Sequence, residues 1–236
     1  GDIAVHSDGP DKACRSLVGI AGASYQLDAE LPAFDCQWNG GPVFSRTVLV
    51  ENDKILLVIT HEHPCQHLAI EIGSGTGQHA IYFGEHLPHL TWQTSDIVIY
   101  HAGIRAWLDE AALPNVLPPL ALDVENDPWP TSKVEAVFSA NTVHIMGWPQ
   151  VQCMFSGIGN VLAQGGVFCL YGPFNYNGAF TSPSNARFDA WLKARDPASG
   201  VRDFEALDLL ARNAGMILTQ DHAMPANNRT LVWRKI

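Results

Sequence analysis

The sequence predicts an α/β fold, doubly wound around a mostly parallel sheet, on three observations. Apolar runs of strand length alternate with helix-length segments from about residue 46 to the C-terminus. The run Leu68-Ala-Ile-Glu-Ile72 leads directly into Gly73-Ser-Gly-Thr-Gly77, and helical periodicity resumes at Gln78. Successive strand ends then carry polar groups, which suits a sheet that binds its ligand at the carboxyl ends of its strands.

Residues 1–43 are rich in turn-forming residues, including Gly9-Pro10 and Gly40-Gly41-Pro42, and lack sustained periodicity. They read as an N-terminal extension or lid, bounded at residue 45, ahead of one domain over 46–236. Val48, Leu49, Leu56 and Ile59 mark an apolar face for a helix around 46–60. Leu68–Ile72 is the first sheet strand, apolar enough to be covered on both faces. The helix from Gln78 stops near Pro88, and Leu90–Asp96 is the second strand. A helix over Ile97–Ala112 precedes a third strand, Pro119–Val124, and a fourth, Val134–Ala140. The helix Gln150–Gln164 is expected to close at Gly165-Gly166, which lead into the strand Val167–Tyr171. Ser182-Pro183 is an N-cap signature for a helix over 182–195. A helix over Arg202–Asn213 ends at Gly215, followed by strands Met216–Thr219 and Leu231–Trp233. Seven strands in this order make a Rossmann-like sheet.

Spacing and charge decide which ligand the glycine turn suits. A dinucleotide fingerprint needs Gly-x-Gly-x-x-Gly, so Gly77 comes one residue early, and the chain has no Walker-type Gly-Lys-Ser/Thr. Glu71, two residues before Gly73, would repel phosphate but suits a cation bearing an amino group. S-adenosylmethionine is such a ligand, a sulfonium and an ammonium on a nucleoside without phosphates. Glu71, Gly73, Ser74, Gly75, Thr76 and Gly77 form its expected loop. Asp96, nineteen positions after Gly77, is placed to take ribose hydroxyls, with Ile97 beside it. Asp123 and Val124 stand where an adenine amino group would lie, and Asn141 stands at the fourth strand end. The plain alternative for each acid is a helix cap or loop solvation.

The segments Glu71–Ala80, Trp92–Asp96, Asp127-Pro-Trp-Pro130, Tyr171–Asn177, Phe180–Pro197 and Asp221–Asn228 resemble the DUF938 family of small class I methyltransferase-like proteins. The resemblance covers roughly residues 45–236. It implies the class I methyltransferase fold, a final hairpin with one antiparallel strand, and S-adenosylmethionine binding, but no defined substrate. Phe44–Lys54 keeps only the outline of the family's entry segment, and residues 1–43 match nothing in it.

Methyl transfer requires alignment more than acid–base chemistry, so a base matters only when the acceptor must lose a proton. His144 is the candidate, with a helix-start or capping histidine as the plain alternative. Tyr171, Phe174, Asn175 and Tyr176 follow the fifth strand and offer an aromatic, hydrogen-bonding acceptor pocket, which His222 and Asn227 would close. Asn227-Asn228 equally suits a hairpin turn. His61, His63, Cys65 and His67 alternate as metal ligands would, but they precede the first strand at its amino end, and no metal is expected. An acid is also missing where Asn141 stands, which disfavours a magnesium-dependent mechanism.

The expected activity is O- or N-methylation of a small-molecule acceptor. The alternatives are a non-catalytic protein that binds S-adenosylmethionine or S-adenosylhomocysteine, and a nicotinamide-dependent oxidoreductase, which the early third glycine opposes. A net charge of −10 argues against nucleic acid, and Arg187, Lys193, Arg195 and Arg202 read as a solvated helix face rather than a patch. Five cysteines without paired spacing, two of them (Cys153 and Cys169) in apolar runs, fit buried thiols in a reducing compartment. With no membrane-length apolar run and no signal-peptide pattern, a cytoplasmic location is expected.

Overall fold

Apolar strand segments that must be covered on both faces assemble into a sheet with helices on each side. In the computed structural model, the described residues are 67–236 together with Thr47–Val48 and Leu57–Val58, all within the unit Pro42–Ile236. Thr47–Val48 (β1) and Leu57–Val58 (β2) form a short antiparallel pair, so the helix expected over 46–60 is wrong at these four positions. Three of the four are β-branched and fit a pleated strand better than a helix. The extension over residues 1–45 lies outside the described residues.

The main sheet contains β3 (His67–Ile72), β4 (Leu90–Asp96), β5 (Val116–Ala121), β6 (Val134–Ala140), β7 (Leu162–Gly172), β11 (Met216–Met224) and β12 (Asn228–Lys235). Their order is β11-β12-β7-β6-β3-β4-β5. Only β12 runs antiparallel to its neighbours, β7 and β11. This is the class I methyltransferase fold. The order reverses between β3 and β6, and doubly wound sheets bind ligands outside the carboxyl ends of the strands at such a switch point.

Helix α1 (Gln78–His86) brings Ala80 and Phe83 onto one face of the sheet, against Trp92 and Phe138. Leu108 of α2 (His101–Ala111) joins the same side. On the other face, Val151, Met154, Phe155 and Ile158 of α3 (Trp148–Val161) pack against Ile70, Ile72 and Phe168. Leu207 and Ala211 of α5 (Phe204–Asn213) extend that core to Trp233. A small second sheet, β10-β8-β9, is made by β8 (Phe174–Tyr176), β9 (Ala179–Phe180) and β10 (Arg202–Asp203). Helix α4 (Pro183–Arg195) follows β9, and Ser182 caps it by accepting from the Asn185 N–H at 3.1 Å.

Several boundaries differ from the sequence expectation for physical reasons. β5 begins at Val116 because it is an edge strand, the setting in which Pro118 and Pro119 are tolerated, and Asp123 therefore lies beyond it. Gly165 and Gly166 do not separate a helix from a strand; they lie within β7, where the register to β6 shifts. α3 starts two residues early because the Gln150 side chain accepts from the Gly147 N–H at 2.9 Å. A 3₁₀ turn over Val98–Tyr100 precedes α2, and Arg202–Asp203 is strand rather than helix. β11 and β12 are longer than expected, and Ala226 and Asn227 turn between them at φ 57° and 60°. Cys169 is buried, but Cys153 is only half-buried.

Candidate cofactor and acceptor site

The three loop glycines all take positive φ, at 73° (Gly73), 59° (Gly75) and 90° (Gly77), but for different reasons. A Cβ on Gly73 would lie 2.5 Å from Thr142 Cγ2, at the end of β6. One on Gly77 would press on Leu108 and Ile104 of α2. One on Gly75 would meet nothing within 4 Å among the described residues, so Gly75 is the part of the loop that faces open space between them. The loop is anchored to β4, with the Gly73 and Ser74 N–H groups donating to Ser95 O at 3.1 and 2.9 Å. Asp96 Oδ2 accepts from the Gly75 N–H, and Asp96 Oδ1 from the Ile97 N–H, each at 2.8 Å. Burial holds the Asp96 carboxyl above its ordinary range, against the opposing bonds from Gly75 and Ile97. Thr76 completes the turn, half-buried.

Beneath the loop Glu71 is fully buried. Its Oε2 accepts from Ser74 Oγ at 2.9 Å and from Trp92 Nε1 at 3.2 Å. Its Oε1 is buried with no hydrogen-bond partner among the described residues, and His79 Nδ1 lies 3.7 Å away. Burial pushes the carboxyl up to about 7; the Trp92 and Ser74 bonds oppose this, and Asp96 adds to it. A carboxyl raised in the folded state binds a proton more readily there than in the unfolded chain. Its stabilising contribution is therefore complete below pH 4.5 and is lost as pH rises through about 7. Glu71→Gln should remove that slope, recovering on the order of 3 kcal/mol in the free protein at about pH 8. Urea unfolding of both proteins across this range checks it; parallel pH curves would exclude the assignment.

Along the same edge, Leu122 N–H donates to Asp96 O at 3.0 Å, joining the ends of β4 and β5. Ile97 is 41% exposed and presents an apolar surface beside Asp96. Asp123 Oδ1 accepts from the Glu125 N–H and Oδ2 from Asn126 Nδ2, and these bonds hold its carboxyl below the usual range. Val124 is a core residue whose carbonyl accepts from Trp129 Nε1. Asn141 is exposed in the left-handed region at φ 57°, and its N–H donates to Tyr171 O.

His144 is 5% exposed, with its ring edge-on to Phe188 at 5.2 Å. Its Nδ1 is buried without a hydrogen-bond partner among the described residues. Burial, assisted by the Arg202 charge, lowers the imidazole to about 4, so it is neutral at physiological pH. A Cβ placed on Gly172 would lie 3.7 Å from Asn141 Oδ1, 3.8 Å from His144 Nδ1 and 3.8 Å from Phe174 Cζ, so these three side chains converge there. Arg202 holds the loop in place, with Nε donating to Val143 O at 3.0 Å and Nη2 to the Met146 and Ala198 carbonyls. It is a clamp, unlike Lys193, which pairs with Asp189, and Arg195, which covers Trp191.

The other acceptor candidates are more dispersed. Phe174 is fully buried in the core. Tyr171 is buried on the opposite sheet face, its OH accepting from Asn228 Nδ2 at 2.9 Å. The Tyr176 OH donates to Asp221 Oδ2 at 2.9 Å, and Asp221 also pairs with Arg229. His222 Nε2 bonds Gln220 Oε1, and Asn227 sits in the hairpin turn, with Nδ2 donating to Ser184 Oγ. Sequence reasoning missed Thr142, whose hydroxyl bonds Ser139 Oγ at 2.7 Å while its methyl faces Gly73. The Ser139-x-x-Thr142 spacing was its only signal. Of the histidine–cysteine run, only His67 is described, and it is buried in β3. Among the described residues, no group of three or more His, Cys, Asp or Glu side chains is placed to hold a metal, and no helix is long and apolar enough to cross a membrane.

A family model described as a protein of unknown function, DUF938, matches residues 45–235. An O-methyltransferase family protein from Burkholderia thailandensis superposes with a TM-score of 0.66 at 13% identity, covering 72% of this chain and 51% of that one. An O-methyltransferase family 2 protein from Planctomyces limnophilus, solved with apigenin, gives 0.64 at 15% identity, with coverage of 72% and 51%. The S-adenosylmethionine-dependent methyltransferase SibL, solved in its apo form, gives 0.62 at 19%, with coverage of 72% and 50%. The chain spans about half the length of these structures, and at such identities the likeness is one of fold.

Proposed function

We propose that this chain, which belongs to the DUF938 family, is an S-adenosylmethionine-dependent methyltransferase acting on oxygen or nitrogen of a small-molecule acceptor. One observation carries the reading: a buried carboxyl with an orphaned Oε1, Glu71, lies under a glycine loop whose Gly75 opens onto empty space. An unpartnered buried carboxyl oxygen is costly unless a donor meets it, and a cationic ligand supplies one. The carboxylates of Glu71 and Asp96 on either side of the loop disfavour a phosphate there. S-adenosylmethionine fits this acceptor set, and the chemistry it supplies when bound is a methyl group on sulfur, with the S–C bonding pair returning to sulfur on transfer. Glu71 would face its ammonium, Asp96 the ribose hydroxyls, and Ile97, Asp123 and Val124 the base. Asn141 and His144 would flank the acceptor.

Calorimetric titration tests the reading. S-adenosylmethionine and S-adenosylhomocysteine should bind, and NAD should not at comparable affinity; the reverse order would overturn it. Asp96→Ala should weaken S-adenosylmethionine by roughly 1.5–3 kcal/mol, the range for hydrogen bonds to a charged group, while the protein stays folded. Unchanged affinity would leave Asp96 with the loop-bracing role alone.

A second reading, a protein that binds the cofactor without transferring its methyl, is favoured by the deep burial of His144. Methyl transfer from labelled S-adenosylmethionine to a panel of phenols and amines separates the two.

A further inference from the structure

Asp203 occupies the N-cap of α5, where aspartate ordinarily accepts from the helix's first N–H groups, yet it makes no such bond. Its Oδ1 is instead buried with no hydrogen-bond partner among the described residues. The parallel register of β10 and β8 places Asp203 opposite Asn175, so both side chains stand on one face of the small sheet. Asn175 is 8% exposed, and its Oδ1 is also buried and unpartnered, while its Nδ2 donates to Val201 O at 3.4 Å. On the other side of β8, Asn175 is opposite Phe180, which is 43% exposed. An aromatic ring, an amide oxygen and a carboxylate therefore stand in one row across β9, β8 and β10.

Among the described residues, Arg202, Lys193 and Arg229 are engaged elsewhere. Arg202, the neighbour of Asp203 in sequence, donates to the carbonyls of the His144 loop. Lys193 is paired with Asp189, and Arg229 with Asp221. The row thus offers two acceptor oxygens and a ring face to a group that brings only donors, and a chain of net charge −10 does not repel a cation.

We infer that Phe180, Asn175 and Asp203 form an anchoring subsite for an ammonium group on the acceptor molecule, an inference that rests on the methyltransferase reading for what the acceptor is. The anchored nitrogen is not the methylated atom, because a protonated amine has no lone pair to attack with. The acceptor class is therefore a small amine that carries a second nucleophile, a hydroxyl or another nitrogen, elsewhere in the molecule.

The test uses benzylamine, benzyl alcohol and benzoate as size-matched probes, titrated by NMR into the full chain with and without S-adenosylhomocysteine. Benzylamine should bind saturably and more tightly than the other two. Asp203→Asn should weaken benzylamine by about tenfold or more, and Phe180→Ala by a smaller factor, with S-adenosylhomocysteine affinity unchanged. Asp203→Asn should also leave the melting temperature level or raise it, since the buried Oδ1 has no hydrogen bond to lose among the described residues, whereas a structural role would lower it. Equal binding of benzylamine and benzyl alcohol, no saturable benzylamine binding, or an Asp203→Asn variant that binds benzylamine normally would each overturn the subsite. Failure of S-adenosylhomocysteine to bind would overturn the methyltransferase reading, and the benzylamine comparison on the free protein would still decide the subsite.

Discussion

Replacing Gly75 by valine is expected to abolish S-adenosylmethionine binding, by at least about 100-fold, while the protein remains folded. The fold tolerates the change because a Cβ at Gly75 meets nothing within 4 Å. Binding does not, because a branched side chain would fill the open space above the loop and resists φ of 59°. Gly73→Ala should behave in the opposite sense. Its Cβ would collide with Thr142 Cγ2 at 2.5 Å, in a backbone held at φ 73°. That substitution should cost stability first, on the order of 2–4 kcal/mol, from strain and overpacking combined. Denaturant melts and cofactor titrations on the two variants separate the roles. A Gly75→Val protein that binds normally would place the ligand somewhere else.

The second large effect concerns His144. Its buried Nδ1 has no partner and lies beside Asn141 and Gly172, so it can accept a hydrogen bond from an acceptor O–H or N–H. The burial that keeps the ring neutral also disfavours the imidazolium, so its help as a base should be modest. His144→Ala is expected to lower turnover by about 10²-fold, the low end for general acid–base catalysis, with cofactor affinity nearly intact. Activity should partly return at high pH, where the acceptor ionises unaided. The acid limb carries the sharper sign: a neutral histidine with its pKa near 4 predicts turnover that holds through pH 6.5 and falls only as pH approaches about 4. A wild-type limb at 6.5, or unchanged turnover in the variant, would remove His144 from the chemistry and leave positioning as the better account.

The glycine loop, Asp96 and the strands Leu90–Asp96 and Val134–Ala140 were legible in the sequence because their signals are local. Spacing of glycines and a run of apolar residues are read within ten residues of chain, whereas an acid at a strand end suits a helix cap as well as a ligand. β5 was misplaced because proline in a strand is forbidden or allowed according to whether that strand is at an edge, which only the assembled sheet decides. The bonds made by Arg202 and Tyr176 were hidden for the same reason. Arg202 reaches Val143 O across 59 positions, and Tyr176 reaches Asp221 across 45. By itself the sequence determined the fold class and the position of the glycine turn, since periodicity and backbone freedom are written in neighbouring residues. Tertiary structure alone decided that Glu71 is buried with one oxygen unmet, that His144 is neutral, and that Asn175 stands beside Asp203. Burial, desolvation and strand register arise only when segments distant in the chain close around one another.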